Sequence, residues 1–300
     1  MKSRSWLQSA LRFRDSVIPA VLPRVVACGL FGEGVFLVEQ TLGRDLSPEI
    51  LSSVGFVLNL VLSLLLVFRT NTAYERFWEG RKAWGTLVNT TRNMARTIWI
   101  AVQETCHQDR LDKIAALKLL AAYAVAVKLH LRHSSIDPEL RPFLPPAQFA
   151  KLQQMHHPPL EIAFWLGDYA QKQHQWGRLH VYLLNLIHEQ INTLVDALGI
   201  CERVQKTPIP AAYSIHLKQI LLIYCVFLPF QIVDAFGWIT GLATVMVTFV
   251  LLGIEEIAEE IEDPFGTDPN DLPLDQICHN INRNIEDLIS LAPSTSVEVC

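Results

Sequence analysis

Charged residues are scarce in this chain of 300 residues. Asp, Glu, Lys and Arg together make up 18% of it, whereas a typical soluble domain has about 25%. The hydrophobic content of 50% is ordinary, so the shortage of charge must be concentrated in particular segments. This distribution argues against an ordinary soluble enzyme and directs attention to the uncharged segments.

Sequence motifs of common catalytic sites are missing too. The six cysteines form no CxxC pair, which argues against a zinc ribbon or a thioredoxin-like site and is typical of reduced thiols in or facing a cytoplasm. The chain has neither a phosphate-binding glycine loop nor a Gly-x-Ser-x-Gly motif. We therefore expect no enzymatic activity and no required cofactor.

Patterns of β-structure are also absent. No segment alternates β-branched residues, and no repeat of about 20 to 50 residues occurs. Residues 111–133 and 178–199 instead place apolar side chains three and four positions apart, as core-facing helices do. Prolines mark loops at residues 137–146 and 156–159. An all-helical fold is therefore expected.

Three long uncharged runs account for the shortage of charge. They cover residues 50–68, 219–233 and 235–254. At a rise of about 1.5 Å per residue, the first and third runs nearly cross a hydrocarbon layer of about 30 Å. The second run is long enough once residues 211–218 are added and Lys218 extends towards the membrane surface. These runs predict three membrane-spanning helices.

A fourth apolar segment, residues 25–42, differs because it contains acidic residues. A charge such as Glu33 near the centre of a span costs about 2.5–3.5 kcal/mol on insertion scales. Gly29, Gly32 and Gly34 would let a neighbouring helix approach closely. We therefore predict a span packed inside a helix bundle, with Glu33 turned away from lipid. The arginines before it argue against a cleaved signal peptide.

The placement of cations predicts the topology. Lys and Arg cluster in residues 1–24 and again directly after residue 68, whereas the link at residues 43–49 contains a single cation, Arg44. Under the positive-inside rule both flanking segments are cytoplasmic. The third and fourth spans meet around Asp234, so they form a second hairpin and both termini are cytoplasmic.

An integral, multi-pass, all-α membrane protein with four transmembrane helices in two hairpins is thus the predicted fold class. Its expected segments are a cytoplasmic N-terminal segment (1–24), a first transmembrane hairpin (25–68), a helical cytoplasmic region (69–210), a second transmembrane hairpin (211–254) and a cytoplasmic acidic loop with a C-terminal helix (255–300).

Polar side chains interrupt the run at residues 50–68. The helical period places four side chains in one narrow strip, with Leu60 beside it: Ser52, Phe56, Asn59 and Ser63. An Asn within a membrane helix must find a hydrogen-bonding partner or face water. The strip therefore points either to a packed helix or to an aqueous pathway.

Small residues define a face of the last span. Gly237, Gly241, Thr244 and Thr248 share one side of that helix. The pair Gly237 and Gly241 forms a GxxxG motif, which favours close helix packing.

Histidine pairs are weak candidates for metal ligands. His130 and His133 are three residues apart on one helix, and His156 and His157 are adjacent beside prolines. No cysteine or carboxylate pattern of recognised zinc spacing accompanies them. Ordinary core or surface roles are the simpler interpretation.

The segment after the last span is acidic and rich in turns. Asp268 and Asp271, together with backbone carbonyls of a tight turn, offer the oxygen ligands that Ca²⁺ prefers. It does not have the ligand pattern of an EF-hand. A solvated acidic turn that caps the next helix at Leu274 is the alternative.

Two longer motifs resemble those of the bestrophin family, and of its bacterial and plant-plastid branch in particular. The first is FRTNTAYERFWEGRKAWG at residues 68–85, directly after a span. The second is EDPFG at residues 262–266, followed by DPNDLPLD at residues 268–275. The order of elements agrees from about residue 10 to residue 290.

The resemblance implies a homopentameric ion channel with one central pore in a lipid bilayer. Small inorganic ions are then its ligands and other copies of itself its partners, and nucleic acid is not expected. Family members chiefly conduct chloride and other anions, including bicarbonate, although some bacterial relatives prefer monovalent cations. The family's apolar neck corresponds to Ser52, Phe56 and Leu60, where Ser52 replaces an aliphatic residue, and its lower constriction corresponds to Tyr182.

The family's Ca²⁺ clasp corresponds to the side chains of Asp268 and Asp271 and to main-chain oxygens of Asp263 and Thr267. Residues 269–270 are Pro and Asn, where animal members have further acids, so Ca²⁺ is a candidate ligand and not a required one.

Two other functional classes remain open. A membrane-embedded enzyme or carrier would need Glu33, the one ionisable group in the interior of a predicted span, and a non-conducting scaffold would assemble without ion flux.

Overall fold

A computed structural model of the chain describes residues 12–13, 16–43, 49–136 and 138–291, without the side chains of residues 49–53. Among these residues there is no β-strand, which confirms the all-helical prediction. The helices are α1 (Ile18–Leu42), α2 (Glu49–Ala101), α3 (His107–Leu131), α4 (Pro146–Leu152), α5 (Pro158–Gln175), α6 (Val181–Lys206), α7 (Ala211–Phe236), α8 (Thr240–Glu262) and α9 (Leu274–Ser290). Short 3₁₀ turns cover Pro138–Phe143 and Gly237–Ile239.

The chain divides into two compact units. The first unit consists of Met1–Phe77, Pro208–Pro264 and Asp268–Asp271. The second consists of Trp78–Thr207, Phe265–Thr267 and Leu272–Cys300. The apolar helices α1, α7 and α8 therefore belong to the first unit, and α3 to α6 belong to the second.

Close packing of α1 against α8 holds the first unit together. A Cβ atom added at Gly32 would lie 2.7 Å from the Thr244 hydroxyl oxygen, and one added at Gly241 would lie 2.9 Å from the Gly29 carbonyl oxygen. Glu33 also contacts α8, because its carboxylate oxygen lies 2.9 Å from the same position at Gly241. The expected close approach at Gly29 and Gly32 is confirmed. Gly34 does not take part, since nothing lies within 4 Å of its Cβ position.

A tight turn joins α7 to α8. Gly237 has a φ of 52°, which side chains other than glycine rarely adopt. The turn therefore lies three residues after Asp234, where the hairpin was expected. Of the two glycines in the GxxxG motif, Gly241 packs between helices, while Gly237 makes the turn.

The core of the second unit is built around α3. Leu117 and Leu120 are fully buried, and the buried Tyr123 hydroxyl donates to the Leu194 carbonyl of α6 at 2.8 Å. Lys128 is buried as well, and its ammonium group donates to Glu139 and, at 2.7 Å, to Asp275. The core-facing helices predicted at residues 111–133 and 178–199 are present as α3 and α6, shifted by a few residues at their ends.

Four helical stretches in the described residues are long and apolar enough to cross a membrane. They are Ile18–Leu42, Val54–Ala101, His107–Leu131 and Ala211–Glu262, the last of which contains both α7 and α8. In the third stretch, which is α3, 78% of the apolar segment is buried by protein, compared with 22–28% in the other three. We therefore assign α3 to the protein interior and the other three to the membrane.

Candidate pore helix and its anchoring motifs

Helix α2 contains both the uncharged run at residues 50–68 and the motif that follows it. The helix extends over 53 residues without a break. No proline occurs within it, and proline is the residue that most strongly ends a helix. The helix therefore does not end with the uncharged run at Phe68 but continues through the motif.

One face of α2 packs on α7. Leu62 and Leu66 are buried together with Leu217, Leu221 and Leu228 of α7. Farther along the same face, Gly55 accommodates the side chain of Gln231, because a Cβ atom added at Gly55 would overlap the Gln231 amide group. This face fixes the rotation of α2 about its own axis.

The polar strip predicted from the sequence lies on a different face of α2. Phe56 is 71% exposed and Leu60 is 64% exposed, and Asn59 and Ser63 are exposed too. Ser52 lies on the same helix, but its side chain is outside the described residues. Within one protomer, the described residues thus leave the strip accessible to water, lipid or another copy of the chain.

The charged motif at the end of the uncharged run anchors α2. Arg69 is only 2% exposed, and its guanidinium lies 2.7 Å from a carboxylate oxygen of Glu262. The Arg76 side chain donates to the main-chain oxygen of Glu262 at 3.1 Å. The second carboxylate oxygen of Glu262 accepts from the Ile209 backbone N–H at 2.9 Å.

These bonds bring together the two motifs on which the family resemblance rests. Arg69 and Arg76 belong to the first motif, and Glu262 opens the second. Removing one partner of such a buried charge pair typically costs about 3–5 kcal/mol. The sequence indicated the importance of both motifs, but it gave no sign that they contact each other, because almost 200 residues separate them.

Tyr182, the expected cytoplasmic constriction, lies in the first turn of α6. Its side chain is 77% exposed, and its ring stacks on that of His180 with 5.2 Å between the centroids. His180 is the residue that precedes the helix, and its ring nitrogen faces the Tyr182 backbone N–H at 3.5 Å. The exposed ring is compatible with a constriction formed by several copies, which stays a prediction.

The acidic loop is held by its own hydrogen bonds. The Asp271 carboxylate accepts from the Asp268 backbone N–H at 2.6 Å, and the Asp271 backbone N–H donates to the Asp268 carbonyl at 3.1 Å. Asp268, Thr267 and Asp263 are exposed. Helix α9 begins after Pro273, whose own side chain makes no capping hydrogen bond. The Ca²⁺ assignment stays a prediction.

Comparison with known proteins identifies relatives over almost the whole chain. Residues 1–287 match the family described as Bacterial/Fungal Bestrophin protein. A voltage-dependent anion channel-forming protein of Nostoc sp. is 55% identical over 291 residues, which are 97% of this chain and 94% of that protein. Another, of Synechocystis sp., is 51% identical over 290 residues, again 97% and 94% of the two chains.

The fold is also similar to that of a solved crystal structure. A mutant form of a bacterial bestrophin homolog from Klebsiella pneumoniae superimposes with a TM-score of 0.80 at 27% sequence identity. The superposition covers 91% of this chain and 100% of the other.

Proposed function

Because this chain belongs to the bestrophin family, we propose that it is the subunit of an anion channel that conducts chloride passively along α2. Its curated relatives in Nostoc and Synechocystis are named as voltage-dependent anion channel-forming proteins. An ion channel of this kind needs no catalytic residue.

The observation that carries the proposal is the uncovered strip on α2. This helix is buried on one face against α7, yet it exposes Phe56 and Leu60 on another. If several copies surround one axis, the side chains of Phe56 and Leu60 form an apolar ring around it. Such a ring disfavours a continuous water column, so small shifts of the helices would open and close the pore by wetting and dewetting.

Anion preference has a physical basis in the same ring. The edge of a phenyl group carries partial positive charge, while its face is negative. Phe56 side chains that present their edges to the axis would therefore stabilise a partly dehydrated chloride without holding it tightly. Asn59 and Ser63, on the same strip, supply hydrogen-bond donors.

We propose that the assembly is a homopentamer with both termini in the cytoplasm. The topology is supported by charges at one end of the first unit. Arg24, in α1, pairs with Glu256 in α8 at 3.0 Å, and Lys218, in α7, pairs with Glu259 in α8 at 2.8 Å. The first turns of α1 and α7 and the last turns of α8 thus lie at the same end, and the positive-inside rule assigns that end to the cytoplasm.

The test is conduction by the purified protein in a planar bilayer with asymmetric NaCl. A reversal potential near the chloride equilibrium potential supports the proposal. A reversal potential near that of sodium would identify a monovalent-cation channel of the same fold. No current from correctly assembled protein would identify a non-conducting scaffold, and repeating the measurement with and without Ca²⁺ tests the acidic loop.

A further inference from the structure

Three potential metal ligands from three different elements meet in the second unit. His130 is in the last turn of α3, His157 directly precedes α5, and Glu202 is near the end of α6. The Nε2 atoms of the two imidazoles lie 2.6 Å and 2.9 Å from the same oxygen of Glu202. The rings are 4.6 Å apart between centroids, and the potential ligand atoms all lie within 4.8 Å of one another.

The sequence neighbours of these histidines do not take part. His133 follows the end of α3 and has a positive φ of 51°, and His156 is exposed. Each of the two histidine pairs noted in the sequence thus contributes one member. The carboxylate comes from Glu202, which is distant from both pairs in the sequence.

We propose that His130, His157 and Glu202 bind a divalent transition metal, with Zn²⁺ as the ion that fits the ligands best. Two imidazole nitrogens, one carboxylate oxygen and a water molecule form a common four-coordinate zinc site. All three side chains are between 19% and 36% exposed, so an ion and a water molecule can reach them.

The geometry needs only a small adjustment to hold the ion. Zinc bonds of about 2.0–2.1 Å in a tetrahedron place the ligand atoms about 3.3 Å apart. The Nε2–Oε1 distances of 2.6 Å and 2.9 Å must therefore open by about 0.5 Å on average, which side-chain rotation supplies. The ion then replaces the proton that each histidine now shares with Glu202.

Two groups next to the cluster would be affected by metal binding. The Leu160 backbone N–H donates to His157 Nδ1 at 3.4 Å. This long bond would be lost, because an imidazole that binds a metal through Nε2 carries its proton on Nδ1. That N–H retains the His157 carbonyl as an acceptor at 3.1 Å. Lys206 lies 3.3 Å from the other oxygen of Glu202 and can hold the carboxylate in place, as outer partners of metal ligands commonly do.

Such a site would join α3, α5 and α6 and so stabilise the second unit. It does not depend on ion conduction, because its ligands belong to none of the residues assigned to the pore. A metal measured on the purified chain therefore tests it separately from the channel proposal.

The experiment titrates Zn²⁺ into the purified full-length protein by calorimetry and determines bound zinc by elemental analysis. The background carries Cys106→Ser and Cys300→Ser, because cysteine side chains also bind zinc. Two variants remove ligands, Glu202→Gln and His157→Ala, and His156→Ala is the matched control from the same loop. Glu202→Gln retains an acceptor for the histidines, so the fold is preserved.

We expect one Zn²⁺ per chain in the background protein and in His156→Ala, with a raised melting temperature in both. Both ligand variants should bind zinc about 100-fold more weakly, as expected from the effects of changes around zinc sites, and show no rise in melting temperature. Absence of zinc binding by the background protein would overturn the proposal and leave a carboxylate shared by two histidines. Equal affinity in the two ligand variants and the control would overturn it as well.

Discussion

Helices α2 and α3 have similarly apolar stretches but opposite surroundings. In α3, 78% of the apolar stretch is buried by protein, whereas in α2 only 22% is buried. The charged residues of α3 show why the burial is possible. Lys113 donates to the Val102 carbonyl at 2.6 Å and to Glu104, and Lys128 donates to Glu139 and Asp275.

The difference shows that apolar character alone does not determine whether a helix faces lipid or protein. Carboxylates around α3 satisfy its two buried lysines, Lys113 and Lys128, and a buried unpaired ammonium group would be costly. The apolar stretch of α2 packs on α7 along one face, and another face of it exposes Phe56 and Leu60. The paired charges of α3 lie within its apolar stretch, whereas those of α2 follow the uncharged run. This difference distinguishes the two helices.

The largest effect expected from this comparison is on the stability of the second unit. Leu120 is fully buried in α3, so Leu120→Ala should lower the free energy of unfolding by about 2–5 kcal/mol. Leu111→Ala is the control, because Leu111 is 45% exposed on the same helix. Chemical denaturation of the detergent-solubilised protein measures both. Equal losses in the two variants would contradict the interior assignment of α3.

A smaller loss of stability is expected at the contact between α1 and α8. Gly32→Ala places a Cβ 2.7 Å from the Thr244 hydroxyl, and such overpacking typically costs about 1–3 kcal/mol. Gly34→Ala on the same helix has nothing within 4 Å of its Cβ and should be neutral or slightly stabilising. Thermal unfolding in detergent checks the pair. A loss as large in Gly34→Ala would show that the close contact is unimportant.

Replacing exposed side chains of α2 should change conduction and leave stability almost unaltered. The double change Phe56→Ala with Leu60→Ala widens and wets the proposed neck, so the leak conductance in bilayers should rise several-fold. Val61→Ala is the control, because Val61 is exposed on the same helix but outside the strip. Unchanged currents in the double variant would remove Phe56 and Leu60 from the pore.

The smallest expected effect concerns the acid dependence of α3. The Thr105 hydroxyl donates to Asp109 at 2.6 Å, and the Thr105 and Cys106 backbone N–H groups donate to the same oxygen. The hydrogen bond from the Thr105 side chain is the main cause that holds the pKa of Asp109 well below its usual value. A carboxylate with a lowered pKa stabilises the fold above about pH 4, and this contribution is lost as the pH falls further.

Asp109→Asn should therefore lower the free energy of unfolding at neutral pH. The variant should also lose less of this free energy than the parent protein when the pH falls below about 4. Chemical denaturation at neutral pH and below about pH 4 tests this. Asp112→Asn removes the same charge one turn later in α3 and serves as the control. A pH dependence reduced equally by both changes would argue against a special role of Asp109.

Much of this architecture follows from the sequence. Uncharged runs predict spans because an unpaired charge is costly in lipid, and glycines at positions 29, 32 and 241 predict close helix contacts. The strip on α2 follows from helical periodicity alone. The contact of Glu33 with another helix also follows from the sequence, because a carboxylate that faces lipid would be costly.

Contacts between distant residues could not be predicted in the same way. Helical spacing places Gly237 on a packing face, but its positive φ is required by the turn that follows α7. Spacing also pairs His130 with His133, yet in the structure His130 meets His157 and Glu202, which are 27 and 72 residues away. Local periodicity carries no information about which loops fold back onto a helix end.

The sequence by itself determined which segments avoid water. A charged side chain is costly in lipid wherever it occurs, so each uncharged run can be recognised from its own residues. Only the tertiary structure decided which apolar helix is covered by protein and which face of α2 remains open. It also joined Arg69 and Arg76 to Glu262. These decisions depend on partners far away in the chain, and a buried charge is stable only where such a partner lies within hydrogen-bonding distance.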